Sequence, residues 1–385
     1  MKNSKFLIII IILIAFPVCF FGNNLKTANA DDLSDSIRDS INKLDLEQVE
    51  DFFEEKKLDD FDFYSTFKNI LDGKYNNATN VFDYIKNIIF AKTSKFLPVI
   101  IAVIITCLLY VILQNVKSRY AGDSVANIIK FVTILSIFIF IFPSFISICN
   151  NTKNIIKNIG KFSEIMSPII LTLMVASGGT VSATVFKPSV LFFSNIVINV
   201  FYSIVLPIIG IFTAFSIMSH FSKEIKLKKF TDFFSGILKW IFGIMIVFYG
   251  ILISIQGISA SSAEGISIKV AKYALSNSIP IIGGLVKDGL DVVTAGSIII
   301  KNALGITGLV GIFYYVLSPV MEMIVFSALL KLAAAVTDIF SGDSIGEFLI
   351  TISNSINYFI AAVVTVGLMA FLTVLLMVIS ANTVF

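Results

Sequence analysis

Few side chains in this sequence are equipped for chemistry, and several of them fall in one stretch. LSNSIPIIGGLVKDGLDVVTAG, residues 275–296, carries Pro280, Gly283 and Gly284, then Lys287, Asp288 and Asp291. Lys287 and Asp291 are four residues apart, the spacing at which opposite charges meet on a helix face. Helix breakers beside charges in an apolar chain have two readings, a solvated loop or a re-entrant segment lining a polar path. The second arises because irregular backbone at membrane depth persists only where protein or water satisfies its polar groups, and charges there need the same. Glu322 is the other ionisable group that stands out, three residues after Pro319 in SPVMEMIVFSALLK, with Lys331 nine residues on. It either caps a helix start near the membrane surface or faces a cavity or partner within a span. In the first half, SGGTVS at 177–182 allows close helix packing or exposes backbone to water.

Hydrolytic and metal chemistry find no footing. His220 is the only histidine, and Cys19, Cys107 and Cys149 are widely separated. A zinc centre or a histidine-based triad needs residues the chain lacks. The expectation is a non-enzyme with no catalytic residue, metal or cofactor.

The elements that hold these residues are set by composition. The chain is 56% apolar and 14% charged, with mean hydropathy +0.91, against about 45–50% and about 25% in soluble domains. That predicts an all-α, polytopic helical membrane protein. Net charge is +3 but unevenly placed: residues 31–95 hold nine Lys/Arg and fifteen Asp/Glu, residues 96–385 seventeen and eleven. No basic block interleaved with aromatics appears, which excludes nucleic acid as a partner.

Residues 1–30 read as a signal peptide: Lys2 and Lys5, an apolar core from Phe6 to Phe21, then Ala28-Asn29-Ala30. Cys19 follows Phe16-Pro17-Val18, without the small residue of a lipoprotein signal. An uncleaved anchor is the alternative, and both place residues 31–95 outside the cytoplasm. That acidic segment has helical apolar spacing at Leu33, Ile37, Ile41 and Leu44, at Phe67, Ile70 and Leu71, and at Val81, Ile85, Ile88 and Ile89. It is small for an independent core, so it is expected to dock on the membrane domain or on a partner.

Spans of about 20 apolar residues are predicted at 96–113 and 128–148, making two transmembrane helices in 96–149, and then at 165–185, 237–255 and 348–379. Two runs, 190–221 and 302–336, are too long for one crossing and have Pro207 and Pro319 near their middles. Both are expected to be broken helices or tight hairpins. FYSIVLP at 201–207 matches FYYVLSP at 313–319, and SPII at 167–170 matches IPII at 279–282, each 112 residues apart. An internal duplication follows, with halves 150–261 and 262–385, a plan common among transporters. Lys223, Lys226, Lys228 and Lys229 place 221–239 in the cytoplasm if 190–221 is a hairpin, which leaves Lys153, Lys157 and Lys161 outside, against the charge rule. Residues 261–278 form an amphipathic helix, with Ile266, Val270 and Tyr273 opposite Lys269 and Lys272.

The segments GISASSAEGISIKVAKYALSNSIPIIGGLVKDGLDVVTAGSIIIKNALGITGL at 257–309 and LLKLAAAVTDIFSGDSIGEFLITISNSINYFIAAVVTVGLMAFL at 329–372 resemble the stage III sporulation protein AE family. The resemblance implies a multi-pass protein of the mother-cell membrane around the forespore. It would be a subunit of a secretion-like channel joining the two cells and required for late forespore gene expression. Implied partners are a cytoplasmic ATPase, small membrane subunits and ring-forming proteins of the intermembrane space. From the residues alone, a free-standing secondary transporter using Glu322 and 280–291, and a purely structural scaffold, stay open beside it.

Overall fold

The structure, a computed structural model, describes residues 46–56, 61–72, 78–120, 123–221, 227–278, 282–341 and 344–380. No strand occurs among them. Two short helices, α1 (Glu47–Glu55) and α2 (Phe63–Leu71), precede five long stretches. These are α3 (Ala78–Tyr120), α4 (Asp123–Ala176), the helical stretch α5 (180–221), α6 (Lys228–Ser278) and α7 (Ile282–Ser341); α8 (Ser344–Ile379) follows. Six helical segments are long and apolar enough to cross a membrane, one in each of α3 to α8. The expected all-α polytopic class is therefore what the chain adopts.

Side-chain pairs fix the packing order. Tyr84, Lys92 and Phe96 of α3 meet Tyr314, Glu322 and Phe326 of α7, so these two helices run parallel. Asn158 and Thr152 of α4 meet Tyr315 and Met323, so α4 runs antiparallel to α7. Helix α5 pairs Phe212 and His220 with Tyr358 and Phe348 of the antiparallel α8, while α6 places Ser235 and Tyr249 on Tyr358 and Met369. The body is an up-and-down bundle. Its α7 and α8 windows are 72% and 78% buried, against 17–39% for the others. The last hairpin is the centre, and α3 to α6 surround it.

Three expectations are corrected here. The first concerns α4. Residues 128–148 and 165–185 are not two separate crossings, because the helix continues from Asp123 through the polar stretch 150–164 to Ala176. Ile155, Ile156, Ile159 and Phe162 are buried at helical spacing, while Asn151, Lys153, Asn154, Lys157 and Lys161 are exposed. That 3.6-residue pattern sustains a helix where bare polarity suggested a loop. At about 1.5 Å per residue, its 54 residues run about 81 Å, far beyond a hydrocarbon layer of about 30 Å.

The second concerns the prolines. Residues 180–221 make no hairpin and α7 makes no break at Pro319. Pro98, Pro143, Pro168 and Pro188 are also inside helices. A proline removes one backbone bond and crowds the carbonyl four residues back, which membrane helices tolerate by local adjustment. Pro207 shows the adjustment directly: two π-helical segments, Phe193–Val197 and Phe201–Val205, lie just before it. Their wider turns relieve the clash. Pro319 has no such segment, so the two runs matched at 112 residues differ in backbone.

The third concerns 177–182. Ser177, Gly178 and Gly179 form the turn between α4 and α5, rather than a packing stripe. Gly178 has φ 89°, the left-handed conformation that ends helices and favours glycine. Its N–H donates to Val175 O, and that of Gly179 to Met174 O at 2.7 Å.

Helices α1 and α2 do not stand alone. Asp62 caps α2, its Oδ1 accepting the Ser65 N–H at 2.9 Å. Their buried faces, Val49, Phe52 and Phe53, then Phe63, Phe67 and Ile70, join the core of the long helices. Phe52 and Phe53 lie against Phe162 of α4, and Phe61 stacks on Tyr314 of α7. Gly311 makes the contact possible, since a Cβ there would strike the Phe53 ring.

Candidate functional site

Polar groups inside the bundle collect on the central hairpin. Glu322, 4% exposed, sits one turn past Pro319 in the middle of α7, so it caps no helix start. Its Oε2 accepts from Lys92 Nζ at 2.8 Å and its Oε1 from Lys95 Nζ at 2.6 Å. The two lysines are three residues apart on α3 and reach the carboxylate from one face. One buried negative charge thus holds two cations, and the cluster keeps a net positive charge. Lys95 also lies 5.3 Å over the Phe96 ring.

Further along the hairpin, Ser327 Oγ and Ser353 Oγ are 2.7 Å apart, and Ser327 donates to Asn357 Oδ1 at 3.3 Å. Tyr249 donates to Met369 O at 2.7 Å and meets Thr373 Oγ1. Lys301 is fully buried and donates to Ser380 O, capping the end of α8. Threonines return their hydroxyls to their own helix, as Thr307 does to Ala303 O at 2.7 Å and Thr337 to Ala333 O at 2.7 Å. Such contacts satisfy polar atoms within the bundle and join helices. They present no nucleophile beside a base.

Packing around these groups is tight. A Cβ on Gly308 would lie 2.5 Å from Met166 Cε, and one on Gly367 3.1 Å from Val316 Cγ2. Val378 and Asp338 block the same position at Gly305 and Gly346. Phe326, Phe348, Ile356 and Val363 are fully buried. The centre is filled by side chains, not by a path.

The other residues singled out in the sequence fall as follows. Pro207 is exposed near the start of Leu206–Phe221, and Pro319 is half-buried in α7. Pro280 lies outside the described residues. Gly283, Gly284, Lys287, Asp288 and Asp291 belong to the opening turns of α7, whose backbone is helical from Ile282; their side chains lie outside the described set. The expected irregular backbone at 283–284 is not found. Residues 261–278 complete α6 rather than forming a separate helix. The lysine pair on α3 escaped notice because Lys92 and Lys95 precede the apolar run and carry no motif. Only their i, i+3 spacing could have flagged a shared partner.

Outside the spans, Glu55 of α1 is held below its ordinary carboxyl pKa by the Lys56 ammonium at 2.7 Å, with Lys161 of α4 adding to the effect. The acidic N-terminal helices therefore meet the basic face of α4. Of the three lysines that broke the charge rule as loop residues, Lys161 lies on a helix flank beside that acidic partner.

A family model described as Stage III sporulation protein AE (spore_III_AE) matches residues 61–381. The Stage III sporulation protein AE of Bacillus subtilis (strain 168) is 28% identical over 302 residues, covering 78% of this chain and 75% of that protein. No solved structure matches.

Proposed function

This chain belongs to the stage III sporulation protein AE family, and from that premise we propose that it is a non-enzymatic, multi-pass subunit of a sporulation channel. It sits in the mother-cell membrane around the forespore, with residues 31–95 outside the cytoplasm. Its partners are a cytoplasmic ATPase, small membrane subunits and ring-forming proteins of the intermembrane space.

The observation that supports this reading over a free-standing transporter is the filled centre of the α7–α8 hairpin. Transporters of the repeat type place substrate sites at interrupted helices near the midplane. Here the two innermost helices run through without interruption and interlock at Gly305 and Gly367. A path therefore lies between subunits, with this chain as one wall. The opening turns of α7, with Gly283, Gly284, Lys287, Asp288 and Asp291, are the segment we assign to that wall. Each bundle end fits the orientation. Helices α3, α5 and α7 end and α4, α6 and α8 begin at one end of the bundle, where the last turn of α3 holds Lys117 and Arg119 and the first of α6 holds Lys228 and Lys229, as the cytoplasmic ends of spans do.

The test is genetic and biochemical together. Deleting the chain in its own host is expected to stop sporulation at the stage the family is named for. A tagged copy is expected to retrieve membrane partners only from sporulating cells. Normal spore yield without the chain, or a tagged copy that remains alone, overturns the reading.

A further inference from the structure

Side-chain pairs place three lysines close to one height on the bundle. Glu322 of α7 lies level with Lys92 and Lys95 of α3. The next residue, Met323, touches Thr152 of α4, its Sδ 3.8 Å from Oγ1. Lys153 follows Thr152 directly and is exposed.

Below this plane the outer surface is apolar. Helix α3 exposes Leu97, Ile101, Ile105, Leu109 and Leu113, and α4 exposes Ile128, Val132, Ile139 and Ile146. Residues 97–113 of α3 cover about 25 Å and residues 128–148 of α4 about 31 Å, matching a hydrocarbon layer of about 30 Å. Above the plane, α4 exposes Asn154, Lys161 and Glu164. Phe90, two residues before Lys92, is 66% exposed, a place where aromatic rings favour the membrane surface. On α3 and α4 the outer surface turns at this height from apolar to polar.

We propose that Lys92, Lys95 and Lys153 form a site for the phosphate headgroup of an anionic phospholipid in the leaflet nearest α1 and α2. The buried Glu322 carboxylate takes one N–H from each α3 ammonium and fixes both, so they meet a ligand pre-organised. Each ammonium carries three N–H donors. The Lys92 and Lys95 side chains are 25% and 49% exposed, so their other donors reach the surface. One carboxylate cancels one of the two charges, and Lys153 adds one more. The acidic helices α1 and α2 do not occupy this plane. Their ring contacts on α7 are at Gly311, Tyr314 and Tyr315, seven residues or more from Glu322 and so about 10 Å higher.

The test uses the full chain in nanodiscs of phosphatidylcholine with a minor share of phosphatidylglycerol, read by native mass spectrometry as retained phosphatidylglycerol. Lys95→Gln with Lys153→Gln is compared with Lys86→Gln with Lys161→Gln, which removes the same charge from exposed lysines well above the plane. The first pair is expected to lower retention about fivefold per lysine, and the second to leave it near the unaltered level. Lys95→Arg is expected to retain lipid. Equal loss from both pairs indicates a general charge effect and overturns the proposal. So does phosphatidylglycerol retention by the unaltered chain no greater than that of phosphatidylcholine, the result for a lysine face reserved for an acidic protein. Neither that comparison nor its salt dependence requires any variant to fold.

Discussion

Removing the partners of Glu322 should cost more than removing Glu322 itself. Its side chain is 6% exposed, whereas those of Lys92 and Lys95 are 25% and 49% exposed. Lys92→Met with Lys95→Met leaves a carboxylate in the packed interface between α3 and α7, with no cation and little access to water. Breaking a buried pair this way costs about 3–5 kcal/mol. Glu322→Gln leaves two ammoniums that already reach the surface and can hydrate, so the loss is about 1 kcal/mol, that of an exposed pair. Adding Glu322→Leu to the double lysine variant removes the stranded charge and should recover most of the stability. Unfolding in mixed micelles by dodecyl sulfate titration, followed by helicity, measures all four proteins. The reasoning fails if Glu322→Gln is the more damaging change, or if the triple variant is no more stable than the double.

Gly311→Val drives a side chain into the space of the Phe53 ring and should release α1 and α2, seen as rapid proteolysis between residues 46 and 72 while the long helices stay protected. Phe53→Ala empties the same contact from the other side and should lower the stability of this region by about 3–5 kcal/mol, measured by hydrogen exchange. Asp62→Ala removes the α2 cap and should cost about 1 kcal/mol, read by the same exchange as faster loss in 63–66. Glu55 gives a pH prediction: its carboxyl is lowered from 4.5 by Lys56, so its contribution to the docked state is whole above about pH 4.5. It should fade as pH falls through the lowered value. A carbon-13 titration of Glu55 should show the lowered midpoint, and Lys56→Gln should raise it.

The sequence announced the medium and the class. Apolar runs at 96–113, 237–255 and 348–379 all fall within long helices, and the amphipathic spacing at Phe67 and Ile70 marks a face that is buried. Prolines misled, because a helix can absorb their backbone cost: Pro207 follows two π-helical segments, and α7 runs on through Pro319. Polarity at 150–164 misled for a related reason. A membrane helix that continues into water changes its outer face from apolar to charged without changing its inner one, and only the inner pattern, Ile155 to Phe162, records the helix. The site was half legible. Glu322 stood out as an ionisable group in an apolar run, but its partners are 227 and 230 residues away in sequence, joined by the parallel packing of α3 on α7 that no local pattern encodes.

The filled centre of the bundle is tested most directly by reconstituting the purified chain alone in liposomes loaded with small fluorescent solutes and ions of graded size. The account predicts leakage no faster than from protein-free vesicles, since the α7–α8 hairpin leaves no path through one chain. Size-selective flux through the isolated protein would contradict it.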